Sequence, residues 1–171
     1  MDFTLAEMEK VTGANRRALQ FWTGEGVIMT TKATAEAGRG VHRRYSRDEA
    51  IIACAVRAFA DRRLSVRELT AIAESMRRIL ASKEVPKNKN ESSGSQAIEN
   101  AVAGKWRVYL SFSNNAAGKW SVSTTTDPGE GTTPEMIASL LGKKAAEHLD
   151  APDSFACQIL LNTYTKKIPK A

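Results

Sequence analysis

Long apolar runs are missing from this chain of 171 residues, so no membrane-spanning helix, which needs about 18 consecutive hydrophobic residues, is expected. The opening segment, Met1 to Glu7, holds early acids and no apolar stretch, which argues against a signal peptide. Cysteine is scarce: Cys54 and Cys157 stand far apart, each within an apolar run. That pattern fits buried, reduced thiols in a cytosolic protein better than a disulfide or a metal site. Catalytic patterning is missing as well. No nucleophile–base pair, Gly-rich phosphate loop, paired carboxylates or metal-ligand spacing is present, so neither an enzyme nor a cofactor is expected. Gly129-Glu130-Gly131 follows Asp127-Pro128 and reads as a turn, and His148 reads as a cation closing a helix.

Arginine is nearly absent beyond residue 80, where Arg107 is alone among ten lysines. In the first eighty residues the balance is reversed, with twelve Arg among fourteen cations. Arg offers a planar fork of donors suited to phosphates and guanine edges, whereas Lys is a solvated point charge. The net charge of +6 is modest; its uneven distribution is the informative part.

Three tetrapeptides have the form of helix-opening capping boxes: Thr4-Leu5-Ala6-Glu7, Ser46-Arg47-Asp48-Glu49 and Ser65-Val66-Arg67-Glu68. The first opens a helix to about Val11, broken by Thr12-Gly13. Asn15 caps a second over about Arg16 to Trp22, with Ala18, Leu19 and Trp22 inward and Arg16, Arg17 and Gln20 outward. Val27-Ile28 reads as a short buried strand, and Thr30 to Gly40 as a polar loop or wing. A third helix spans about Arg47 to Arg63, its run from Ala50 to Val56 apolar over most of its circumference. A fourth covers about Val66 to Leu80, with Leu69, Ile72, Ala73, Met76, Ile79 and Leu80 on one stripe.

The polar stretch from Ser82 to Gln96, with Pro86, reads as a flexible linker. Beyond it, Trp106, Val108, Leu110 and Phe112 alternate with polar neighbours, as do Trp120, Val122, Thr124 and Thr126, around a turn at Asn114 to Gly118. Thr133-Pro134-Glu135 opens a helix that lasts to about Leu149, and Phe155 to Tyr164 gives a third strand. The expected fold class is α+β. A winged helix-turn-helix occupies residues 1–81, a linker 82–96, and a small domain of β-β-α-β order, opened by a short leading helix, 97–171.

A helix-turn-helix places its second helix in the major groove, where each base pair presents its own donor and acceptor pattern. Thr12-Gly13 provides the tight turn, Arg16 and Arg17 the positive N-terminal end, and Asn15 and Gln20 the polar exposed face. Arg39, His42, Arg43, Arg44 and Arg47 lie within nine residues. Such a density repels itself unless a polyanion relieves it. Tyr45, among them, either packs its ring inward while its hydroxyl reaches a phosphate, or only anchors the wing.

These residues together resemble the MerR-type regulators. The resemblance rests on Thr4 to Glu7, Thr12 to Trp22, Gly26-Val27-Ile28, and Arg43-Arg44-Tyr45-Ser46 with Asp48, over about residues 3–80. It implies a winged-helix fold, Arg17 in the recognition helix, and Arg43 and Tyr45 near the DNA backbone. It also implies a homodimer that distorts promoter DNA, with RNA polymerase as a candidate second partner. The chain departs from the family in Val41-His42 where Gly-Tyr is usual, and in Thr23 and Gln20 where Glu and Arg are common. It also departs in the interruption, from Pro86 onward, of the long dimerising helix that usually follows. The edges of the C-terminal sheet then become the candidate dimer surface. The cysteine-rich loop of the metal-sensing members is missing, so no metal is expected.

The leading expectation is a DNA-binding transcriptional regulator in the cytoplasm, associated with the nucleoid, with no membrane contact and an unidentified effector. Two alternatives are a phage or mobile-element DNA-bending factor of the excisionase kind, and a sensor or adaptor acting through the C-terminal domain. For the last, Trp106, Tyr109, Trp120 and Tyr164 are candidate pocket residues, although aromatics at alternating strand positions more often form core.

Overall fold

Hydroxyl caps set the helical frame of the N-terminal half. The computed structural model describes residues 1–35, 42–82, 93–105, 107–114, 120–127 and 155–169. A short strand β1 (Asp2–Thr4) leads directly into α1 (Leu5–Thr12). Thr4 accepts from the Glu7 amide at 3.2 Å, and the Glu7 carboxylate accepts the Thr4 amide at 2.7 Å. That backbone bond holds the Glu7 carboxyl below the usual carboxylate range. Helix α2 (Arg16–Gly24) is capped by Asn15, and α5 (Val66–Ala81) by the reciprocal pair Ser65 and Glu68.

At the start of α4 (Arg47–Ala60) only half of the expected box forms. Ser46 accepts from the Glu49 amide at 3.2 Å, but the Glu49 carboxylate turns inward. It accepts from the Met29 amide at 2.8 Å and from Arg77 of α5 at 2.7 and 3.0 Å. A charge-assisted, two-point bond to a guanidinium is stronger than one to a backbone amide.

Val27 and Ile28 are buried as expected, but they do not form a strand. Their amides both turn back to the Trp22 carbonyl, at 2.8 and 3.3 Å, closing the end of α2. The polar stretch that follows includes a single helical turn, α3 (Lys32–Ala35). Strand β2 (Arg44–Ser46) pairs antiparallel with β1, placing Tyr45 opposite Phe3, and both are buried. Every residue from Ala50 to Val56 is fully buried, so α4 is the central helix.

The next helix, α6 (Gly94–Val102), opens inside the polar stretch assigned to a linker, with Ser93 as its cap. Ala97, Ile98, Ala101 and Val102 are buried at helical spacing. A side chain at Gly94 would meet the Ile79 methyl at 2.7 Å, and Ser95 donates to the Ser82 carbonyl at 3.2 Å. Helix α6 therefore lies close against the end of α5.

Three antiparallel strands follow, β3 (Arg107–Asn114), β4 (Trp120–Asp127) and β5 (Phe155–Leu160), in the order β4-β3-β5. Val108, Leu110 and Phe112 of the central strand are buried. The Phe112 ring meets Phe59 of α4 edge-on, with centroids 6.0 Å apart. The third strand stops at Leu160 rather than continuing to Tyr164. Leu161 to Thr165 instead form a short helix, α7, closed by a bond from Thr165 to the Leu161 carbonyl at 3.2 Å. Leu161, Thr165 and Ile168 are buried, a spacing that fits a helical turn and not a strand. The buried residues form one cluster running from Phe3 to Ile168. Among the described residues, no helix is long and apolar enough to cross a membrane.

Arg39 with Gly38 and Gly40, Pro86, Trp106, the turn after Asn114, Gly129 to Gly131, and the helix expected from Thr133 to Leu149 with His148 lie outside the described residues.

Candidate nucleic-acid interface

The turn between α1 and α2 is held by four separate bonds. Thr12 donates its hydroxyl proton to the Met8 carbonyl at 2.7 Å and accepts from the Ala14 amide at 3.1 Å. Gly13 adopts the left-handed region, at φ 66, and its amide returns to the Glu9 carbonyl. Arg57 of α4 reaches across to the Thr12 carbonyl at 2.9 Å. The second helix thus leaves the turn at an angle fixed by the core.

Asn15 uses its side-chain oxygen to accept from the Ala18 amide at 2.8 Å. Its amide group stays free to donate, but bidentate pairing with adenine also needs the acceptor. Leu19 and Trp22 are buried, while Arg16, Arg17 and Gln20 are exposed, the inward and outward division expected for this helix. Phe21 is also exposed on this helix.

Arg16 and Gln20 do not stand alone. With Leu5, His42, Arg43 and Tyr45 they line a cleft of about 350 Å³. Its two walls are the exposed face of α2 and the segment entering β2. Arg44 is exposed next to it, its amide donating to Thr34 of α3 at 3.1 Å and its carbonyl accepting from Thr31 at 2.8 Å. The helical turn α3 therefore braces the base of the wing.

Tyr45 is fully buried, and its hydroxyl lies 3.0 Å from Thr23 Oγ1. Thr23 already donates its proton to the Leu19 carbonyl at 2.7 Å. The Tyr45 hydroxyl must then be the donor to Thr23, which commits its proton inside the domain. Of the two roles open to Tyr45, this bonding fits the anchor.

Arg47 is drawn out of the basic cluster. Its guanidinium meets the Glu99 carboxylate of α6 at 2.5 and 2.8 Å and donates to the Pro169 carbonyl at 3.1 Å. Only 16% of its side chain is exposed. The bond to Glu99 holds the guanidinium pKa above its ordinary value. An arginine so engaged joins the start of α4 to the C-terminal half.

One pair escaped the sequence reading altogether. Arg77 donates to the Val27 carbonyl at 2.8 Å while gripping Glu49, so the two side chains fix the segment leaving α2 from both sides. No local pattern marks this contact.

Residues 3–76 match the family model described as the MerR HTH family regulatory protein. The N-terminal part of this chain is a MerR-type helix-turn-helix domain. None of the curated proteins compared with the chain matches it. The MerR-type span takes in α1, the turn, α2, the wing and most of α5. Helix α6 and the three-stranded sheet lie beyond it.

Proposed function

We propose that this protein is a sequence-specific, DNA-binding transcriptional regulator. Helix α2 reads the major groove and the wing side grips the flanking backbone. The observation that carries this reading is the cleft in which Arg16 and Gln20 converge with His42 and Arg43. Arg16 and Gln20 have the donors and acceptors for base edges or phosphates, and Arg43 is exposed for a phosphate. The MerR-type domain supports the same class, because it is the DNA-binding part of transcriptional regulators. Double-stranded DNA is the proposed partner, met in the cytoplasm at the nucleoid.

The active form in this reading is a homodimer, with RNA polymerase as a further partner at promoters. Strands β4 and β5 are the outer strands of the C-terminal sheet and offer the pairing edges. Both run antiparallel to β3 and so parallel to each other.

The test is recovery of genomic fragments by the purified full-length protein at physiological salt. Inverted repeats within promoters are the expected outcome. Single sites beside integration junctions would move the protein to the DNA-bending accessory class, and recovery without any motif would overturn sequence-specific reading.

A further inference from the structure

The second cleft among the described residues lies at the other end of α1. It has a volume of about 430 Å³ and is lined by Val11, Thr12, Gly13, Arg57 and Asp61 of the N-terminal half, with Tyr164, Lys166 and Lys167 from the C-terminal end. Arg57 is already engaged, bonded to the Thr12 carbonyl and 3.6 Å from Asp61, so those two charges offset each other. Lys166 and Lys167 are exposed, and neither has an ion-pair partner among the described residues. The cleft therefore carries, beside the turn that leads into α2, two cations with no ion-pair partner among the described residues.

We infer that Lys166 and Lys167 bind backbone phosphates of the same DNA duplex that α2 reads, extending the interface onto the C-terminal end of the chain. This rests on the DNA-binding reading above. The distance argument is short. Gly13 is three residues from Arg16, and consecutive Cα atoms are about 3.8 Å apart, so the two lie within about 11 Å. A duplex seated on Arg16 and Arg17 presents a phosphate on each strand about every 3.4 Å of its axis. At that spacing, a duplex held by the start of α2 has several phosphates within about 11 Å of it. Lysine suits that task, since a mobile point charge follows a phosphate without needing a bidentate geometry.

The experiment compares wild type with the full-length double variant Lys166→Ala/Lys167→Ala on a mixed-sequence duplex of about 30 base pairs over a range of salt. Each lost phosphate contact reduces the slope of log K against log salt by about 0.9, so a reduction of about 1–2 is expected. Acetylation of the wild-type complex gives a second reading without any substitution: DNA should protect Lys166 and Lys167 while exposed Lys105 stays reactive. A wild-type slope in the variant, or equal acetylation with and without DNA, overturns the inference while leaving the recognition helix in place. Inorganic phosphate protecting both lysines with the DNA slope unchanged assigns the cleft to a soluble anion and also overturns it. A wild-type protein that binds no duplex at any salt removes the DNA reading itself, and this inference with it.

Discussion

The hydroxyl of Tyr45 donates to Thr23 Oγ1 across 3.0 Å, tying β2 to the last turn of α2. The two parts of the candidate interface are thus held together from inside the domain. Tyr45→Phe should lower stability by about 1 kcal/mol, the usual net worth of one buried hydrogen bond. The salt dependence of DNA binding should not change. A shallower salt slope would instead show the hydroxyl on a phosphate, and urea unfolding beside a binding series decides between the two.

The basic cluster should divide into working and structural cations. Arg43→Ala should reduce the salt slope by about 0.9, as expected for one phosphate contact. Arg47→Ala should leave the slope alone and lower the unfolding midpoint, because Glu99 loses its partner. Equal slopes for Arg43→Ala and wild type would remove the wing side from the footprint.

The Glu49–Arg77 pair is the most enclosed ion pair among the described residues, with side chains 11% and 21% exposed. Removing one partner of such a pair strands the other, at a cost of about 3–5 kcal/mol when fully buried. Glu49→Ala should approach the lower end of that range in urea. A loss below about 1 kcal/mol would mean that water replaces the carboxylate.

Gly13 combines a left-handed backbone with a position where a Cβ would overlap the Arg57 guanidinium. Gly13→Ala should cost at least about 1 kcal/mol from backbone strain. It should also push Arg57 off the Thr12 carbonyl. Thermal melting reads the first effect, and a weaker affinity for duplex DNA reads the resulting change in the angle of α2.

Burial pushes the Cys54 thiol up to about 12, because its thiolate has no water around it. In the unfolded chain the thiol ionises near its ordinary value of 9.0. Its contribution to stability is therefore complete below that value and falls away as the pH rises toward about 12. Between pH 8 and 10 the urea midpoint of wild type should drop further than that of Cys54→Ala. Parallel curves would show the site open to solvent.

What was legible in the sequence was local. Thr4 with Glu7, Asn15, and Ser65 with Glu68 form their caps because every atom involved lies within four residues. Ser46 failed as a full box because Glu49 found Arg77, 28 positions along the chain, a partner no tetrapeptide can announce. Charge density placed Arg47 in the wing for the same reason, blind to Glu99 52 positions away. Composition made Ser93 to Gln96 look like linker, although Ala97, Ile98, Ala101 and Val102 already carried the helical period. The apolar run after Phe155 fitted strand and helix alike until the burial of Leu161, Thr165 and Ile168 separated them. The exposed side of α2 was legible because a polar face opposite Leu19 and Trp22 is itself a local pattern.

The clamp on Arg47 makes messengers of residues that touch no ligand. Arg47 is the first residue of α4, directly after β2, and it is gripped by the Glu99 side chain of α6 and the Pro169 carbonyl. A force that displaces α6 must either drag the wing or break two charged bonds. By reciprocity, whatever free energy DNA gains from a settled wing is returned as a tighter hold on α6 and on Pro169. In the proposed DNA-bound form, this clamp is where α6 and the start of α4 would be coupled.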